Sequence, residues 1–292
     1  MLKEAVLSGQ SGFIGSHLAE ALSARGFRVQ RVTQELLYSP VELNKFFNKV
    51  KPDYIFHLAA YGNMSHQKDV SMTVFANIIG IFNMLKESAG VPYKAFINFG
   101  SSSEYGRKPR PMNEQDRLDP ETFYGASKAG GTLLAHAFAK QHNLPVVTVR
   151  PFSVYGENEA DFRFIPTVIR SMLSRSAFPL DESATHDWVY IQDFIEGTLA
   201  VAENVHKFPE GIVNIGSGRA HTNKEVCEML KKISGLQYLA TPLPNMRAND
   251  SEVWVSDNSL ISQRVGFYPK FMLGEGLSKT YEYYKKRYQV TP

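Results

Sequence analysis

One cysteine, Cys227, stands in 292 residues. No intrachain disulfide can form, which suits a reducing cytoplasm. Eight scattered histidines include no H-E-x-x-H pair, so metal chemistry has no support in the sequence. No uninterrupted apolar run approaches the ~18 residues that a membrane span needs. The segment from Met1 to Ser8 is too short and too charged for a signal peptide and reads as a strand. Neither sign of charge dominates: 32 basic residues stand against 29 acidic ones. A net charge of +3, with its basic residues spread along the chain, gives little ground for a nucleic-acid partner. The run Lys285-Lys286-Arg287 ends a predicted helix, where cations are favoured anyway. A serine hydrolase would need G-x-S-x-G at a strand-to-helix elbow, and no such sequence occurs. Internal repeats and low-complexity tracts are also missing.

What is present is alternation. Short apolar runs at 5–7, 27–32, 53–60, 94–99, 146–150 and 212–215 alternate with helical patterns. That order argues for a parallel, doubly wound α/β sheet. The first run opens onto Gly9-Gln-Ser-Gly12-Phe13-Ile14-Gly15 and then a helix to about residue 25. Glycines let the backbone approach a pyrophosphate, and the helix start offers it free N–H groups and a positive dipole end. The spacing is G-x-x-G-x-x-G, and the position at the first crossover makes a dinucleotide the expected ligand. At the end of the second strand a carboxylate commonly holds the ribose of NAD. Thr33 stands there, with Arg31 before it and Gln34 after it, so the sequence leans toward NADP. The third run ends in Leu58, Ala59 and Ala60, small enough to lie beside a flat cofactor; His57 before them reads as a packed histidine. A helical pattern follows over about 72–88, with Asn77 on its polar side.

The fourth strand delivers Ser101, Ser102, Ser103 and Glu104 at its C-terminal end, where ligands bind in open α/β sheets. The three hydroxyls form either a solvated loop or a donor set for a carbonyl oxygen. Next comes Tyr124-Gly-Ala-Ser-Lys128, whose phenol and ammonium lie four apart on one helix face. A free tyrosine ionises near pH ~10. A neighbouring cation favours the phenolate, which makes the pair a proton-transfer device. The fifth strand ends at Pro151, and beyond it the pattern loosens.

In this order the segments resemble the extended short-chain dehydrogenase/reductases, in particular the nucleotide-sugar epimerase/dehydratase group. The segments concerned are Gly9 to Gly15, His57 to Ala60, Asn77 with Gly80, the serines before Tyr105-Gly106, Tyr124 to Lys128, Arg150 to Gly156, and Asp187 to Asp193. The resemblance implies a Rossmann-like domain over residues 1–160, rejoined by 187–215, and a smaller C-terminal substrate-binding lobe over 161–186 and 216–292. Tyr124 becomes the acid/base on a sugar oxygen. Lys128 lowers its pKa and holds the nicotinamide ribose. Ser101 bonds the same sugar oxygen, with Ser102 as the rival register. Gly9, Gly12, Phe13, Ile14, Gly15, Thr33, Leu58, Ala59, Ala60, Asn77, Tyr124, Lys128 and Pro151 are expected to hold NAD(P). Ser102, Ser103, Arg163, Arg247 and Asp250 are expected to touch a nucleotide-diphosphate sugar. A homodimer through the helices near 72–88 and 124–142 is implied, with Phe75, Leu134 and Phe138 as candidate contacts.

Departures narrow the chemistry. Dehydratases of the group carry Asp-Glu after the reacting hydroxyl; Ser102 and Ser103 stand there, and Glu104 is displaced by one. His186 replaces the usual Arg before Asp187, and Ser153 replaces a common Asn. The connection between the second strand and Asp53 is short, as in the group's ketoreductases. The expected reaction is hydride transfer at sugar carbon 4, as an epimerase, with a 4-ketoreductase and a non-catalytic NAD(P)-binding regulator as alternatives. The intact Tyr124 and Lys128 speak against the last.

Overall fold

A computed structural model describes residues 3–64, 66–243 and 254–289. Arg247 and Asp250 therefore lie outside the described residues. In chain order the elements are β1 Lys3–Ser8, α1 Phe13–Ala24, β2 Phe27–Val32, α2 Gln34–Leu37, α3 Pro40–Val50, β3 Tyr54–His57 and α4 Val70–Val74. A π turn, Phe75–Ile79, joins α4 to α5 Gly80–Ser88; then come β4 Ala95–Phe99, α6 Phe123–His142, β5 Val146–Pro151 and β6 Ser153–Tyr155. The chain continues through α7 Phe164–Ser174, β7 Ala177–Leu180, β8 Thr185–Tyr190, α8 Ile191–Glu203, β9 Ile212–Ile215 and β10 Ala220–Thr222. It ends with α9 Asn223–Ser234, β11 Leu239–Pro242, α10 Ser259–Val265 and α11 Leu273–Gln289. Among the described residues no helix is long and apolar enough to cross a membrane.

Six strands form the main sheet in the order β2-β1-β3-β4-β5-β9, and every pairing is parallel. Strands buried on both faces read as continuous apolar runs, and their alternate side chains feed two cores. Ala5, Leu7, Phe56, Ile97, Val147 and Val149 point to the face covered by α1 and α8. Val6, Ile55, Phe96 and Val146 point to the face covered by α3, α5 and α6. Each large side chain so buried contributes roughly 1.5–3 kcal/mol. Strand order reverses between β1 and β3, and that switch point opens a crevice at their C-terminal ends.

The second part of the molecule is built on a three-stranded sheet, β10-β8-β6, and a two-stranded one, β11-β7. The Asp187 carboxylate ties it together. It accepts from the N–H and hydroxyl of Ser217, the N–H of Gly218, and the N–H and hydroxyl of Ser256. The sequence pattern left β6, β7, β10 and β11 unread and took residues 185–190 only as the approach to α8. These strands have three to six residues, and β11 is exposed throughout, so neither length nor apolar alternation marks them. After α8 the chain returns as β9 to the main sheet beside β5.

Candidate active site

A cavity of about 960 Å³ runs along the C-terminal ends of β1, β3, β4 and β5. Its floor is the turn after β1. Gly9 has φ +72°, and a Cβ there would lie 2.7 Å from the Ala59 nitrogen. A Cβ on Gly15 would lie 2.2 Å from the Gly9 carbonyl oxygen. Both glycines are needed for backbone to pass backbone. Gly12 differs: its nearest neighbour is 3.3 Å away and it faces the cavity. No side chain caps α1 at Gly12, so the first N–H groups of that helix are left for a ligand. Gly12→Val should therefore leave melting nearly unchanged while weakening dinucleotide binding about 10–100-fold, the 1–3 kcal/mol of an overpacked contact. Titration calorimetry checks this, and unchanged affinity would remove the floor from the cofactor site. Gly15→Ala, by contrast, should lower the melting temperature itself.

Phe13, Ile14, Thr33, Leu58, Ala59, Ala60 and Pro151 all line the cavity. Asn77 does not. It is 3% exposed, and its amide bonds Tyr61 N–H, the Tyr61 carbonyl and the Ser127 hydroxyl. It fixes the loop after β3 from behind the wall. Thr33 caps α2 by accepting from Leu36 N–H. Glu35 lies two residues on, outside the cavity wall, held below the usual carboxylate range by its own backbone N–H, by Thr33 and by Arg31. The sequence reading passed over that carboxylate.

At the other end of the cavity Tyr124 and Lys128 stand one helical turn apart on α6, which Thr122 caps through Gly125 N–H. Lys128 is 6% exposed. Burial pulls its ammonium down to about 8, against the raising field of Glu104. Burial also pushes the Tyr124 phenol up to about 12; the Ser101 hydroxyl and Arg163 pull it down, and Glu104 raises it further. This corrects the expectation that Lys128 lowers the phenol. Within the protein, burial outweighs the pull of Ser101 and Arg163, and the phenol is held protonated at neutral pH. His57 is the packed histidine the sequence suggested, bonded to Ser8 at 2.8 Å and driven down to about 3 by burial and by Lys128.

Of the three serines, Ser101 is the one whose hydroxyl acts on the Tyr124 phenol. Ser102 instead accepts from the Trp254 indole N–H at 3.2 Å. Ser103 gives its N–H to Ser101 Oγ, while its side chain lies on the cavity wall with that of Ser102. Glu104 turns away from the cavity. It is fully buried and paired with Arg150 at 2.8 Å, so it cannot deliver a proton to a ligand. Arg163 lines the cavity and bonds Glu159, whose carboxyl burial raises to about 7. Tyr38, Arg107, Glu159, Thr185, His186 and Trp254 complete much of the wall. Sequence reasoning noted His186 as a departure and missed the others; Thr185 begins β8, and the rest come from loops without a motif. Among the described residues no cluster of side chains could hold a metal ion.

Residues 5–216 match the family model described as the NAD dependent epimerase/dehydratase family. The chain belongs to that family. An uncharacterized UDP-glucose epimerase of Bacillus subtilis is 26% identical over 97% of this chain and 98% of its own length. UDP-glucuronate 4-epimerase 5 of Arabidopsis thaliana is 26% identical over 96% of this chain and 74% of its own. Among solved structures, the UDP-glucuronic acid 4-epimerase of Bacillus cereus, in complex with UDP-glucuronic acid and NAD, superposes with a TM-score of 0.88. It is 27% identical over 98% of this chain and all of that one. The glycine floor and the uncapped start of α1 fit the dinucleotide that the family binds.

Proposed function

We propose that this protein is an NAD(P)-dependent nucleotide-sugar 4-epimerase. The observation that carries the reading is the convergence of Ser101, Tyr124 and Lys128 on one cavity wall, with the Ser101 hydroxyl acting on the Tyr124 phenol and Lys128 one turn further along α6. The epimerase relatives, matched over nearly the whole chain, support the choice of reaction. NAD(P) along the glycine floor would supply hydride acceptance and return and, when oxidised, a positive charge near the phenol. With the positive charge of the oxidised cofactor and the Lys128 ammonium beside it, Tyr124 would be ionised, take the proton of the carbon-4 hydroxyl and return it when the ketone is reduced from the other face. Ser101 has its Oγ lone pair engaged by Ser103 N–H, so its hydrogen is available to the reacting oxygen. Lys128 holds the ribose and keeps a cation beside the phenol. Ser102, Ser103 and Arg163 line the sugar end. A dehydratase is disfavoured, because Glu104 is bound to Arg150 instead of facing the substrate.

The second reading is a 4-ketoreductase, favoured by the short connection that leaves β2 as the sheet edge. Cofactor stoichiometry separates the two. An epimerase completes turnover of a UDP-sugar with trace cofactor, and a ketoreductase consumes one NAD(P)H per product. Strict stoichiometric oxidation with a 4-keto sugar would overturn the first reading. Arg31 on the cavity wall, with Glu35 outside it, further favours NADP binding at least as tight as NAD. Calorimetry with both nucleotides tests that.

The protein also pairs as a dimer in this reading. Val70 and Val74 of α4, Ile79 of the π turn and Leu133 of α6 are large, apolar and 38–59% exposed. Of the contacts suggested by sequence, Phe138 packs on Phe82 and His142, and Phe75 packs on Tyr38 while staying 40% exposed. Leu133→Glu should convert the dimer to monomer at micromolar concentration by light scattering. A monomeric parent protein would end the proposal.

A further inference from the structure

Glu104 is the one carboxylate in the serine turn, yet it is 0% exposed and absent from the cavity wall. All its partners are internal. Oε1 accepts from Ser101 N–H at 2.8 Å and from the Thr132 hydroxyl at 3.0 Å. Oε2 accepts from Arg150 at 2.8 Å, and the Arg150 guanidinium lies 4.5 Å from the Tyr105 ring centroid. Ser101 and Glu104 thus close a reciprocal cap on the turn Ser102–Glu104, with Ser101 Oγ accepting from Ser103 N–H. Gly100 makes room for it: a Cβ there would stand 2.4 Å from Oε1. Thr132 lies one turn beyond Lys128 on α6, so the carboxylate is fastened to the same helix face as the lysine.

We propose that Glu104 is a positioning residue, anchored on Arg150, that aims the Ser101 hydroxyl at Tyr124 and keeps an anion behind Lys128. The proposal rests on the reading of Ser101, Tyr124 and Lys128 as the reacting set. Buried ion pairs add little net stability and are strongly felt when one partner is removed. Such a pair beside a reacting group has its use in orientation and field. The charged and titratable groups that act on this cluster are Arg150 of β5, His57 of β3, Arg163 at the start of α7, and Tyr105, Tyr124 and Lys128. The field on Lys128 itself comes from Glu104, which opposes the lowering by burial.

One experiment reads Lys128 without any sugar. Melting temperature is followed between about pH 6 and pH 10, the range that brackets a lowered lysine. The difference between parent and Lys128→Met isolates the lysine, and it should narrow as pH rises through about 8. In a Glu104→Gln background the narrowing should begin roughly one pH unit lower, the low end of what a neighbouring opposite charge imposes. Because that change strips Arg150 of its partner, the comparison is repeated in E104Q/R150M, where both charges are gone and melting should recover. The shifted midpoint should persist there. An unmoved midpoint in either background overturns the field behind Lys128.

Turnover tests the aim of Ser101. Thr132→Val leaves the ion pair intact and removes one hydrogen bond from Glu104. It should lower kcat about fivefold, one hydrogen bond's worth, with cofactor KM unchanged, and Thr132→Ser should restore it. Full activity in Thr132→Val overturns the positioning of Ser101. If no nucleotide sugar is turned over by the parent protein, the functional reading fails, and the thermal measurement still decides the field.

Discussion

Lys128→Met should abolish measurable turnover and yet give a protein that melts higher at neutral pH. The two effects share a cause. The ammonium is 6% exposed and is drawn from 10.5 down to about 8 by burial. Because the folded value lies below the unfolded one, the folded state binds fewer protons between those limits, and stability rises with pH across them. Below about pH 8 the chain keeps a charged lysine out of water, at about 3 kcal/mol for a shift of that size. Methionine fills the same volume without that charge. A gain on the order of 5 °C is expected at pH 7, since ~1 kcal/mol moves melting by a few degrees in chains of this size. The gain should fade as pH approaches ~10.5, the unfolded lysine value. Calorimetric melting across that pH range, beside a turnover assay, checks both halves. A variant less stable than the parent at pH 7 would show that the lysine is held by contacts stronger than its burial.

Tyr124→Phe should reduce turnover by ~10²–10⁴, the usual worth of general acid–base help, with cofactor affinity unchanged. The phenol is held protonated near 12 by burial. Removing its oxygen therefore removes no charge from the site at neutral pH and leaves the ring in place. What disappears is the proton-bearing oxygen and its interaction with the Ser101 hydroxyl. Ser101→Ala should cost less, at most ~2.7–4 kcal/mol in the barrier for an oxyanion-type donor. Ser102→Ala should cost least, because that hydroxyl accepts from Trp254 and not from the phenol. Single-turnover kinetics with bound cofactor separate these losses from binding. If Ser102→Ala proves the most damaging of the serine changes, the reacting register is shifted by one.

The main sheet was legible because its physics is local. Runs such as residues 146–150 are buried on both faces, and glycines 9 and 15 mark a turn whose backbone contacts exclude side chains. Helix starts are local in the same way: Thr222 and Glu225 close a capping box at the start of α9. The proposed trio could be picked out for the same reason, since Tyr124 and Lys128 share one helix and Ser101 follows two residues after the end of β4. The direction of the phenol's pKa was not legible: spacing reveals a neighbouring cation but not how much water has been removed. Nor could spacing tell that Glu104 turns inward, because that depends on Arg150, forty-six residues away in sequence. Trp254 and Glu159 reach the cavity from loops, where no periodicity records a neighbour.

Strand β9 carries a consequence for how the chain is made. It lies against β5, although β6, β7, β8 and α8 all intervene in sequence. On a ribosome, β5 emerges with one whole side of hydrogen-bonding groups unclaimed and its Val147 and Val149 side chains uncovered by α8. The hydrogen-bonding edge stays bare until Ile212 follows, although α8 has by then been made. Bare edges of this kind recruit other strands. Strands β6, β7 and β8 are therefore made while the main sheet is still open, and a chain cut short before Ile212 would present a sticky template for aggregation instead of a smaller working domain.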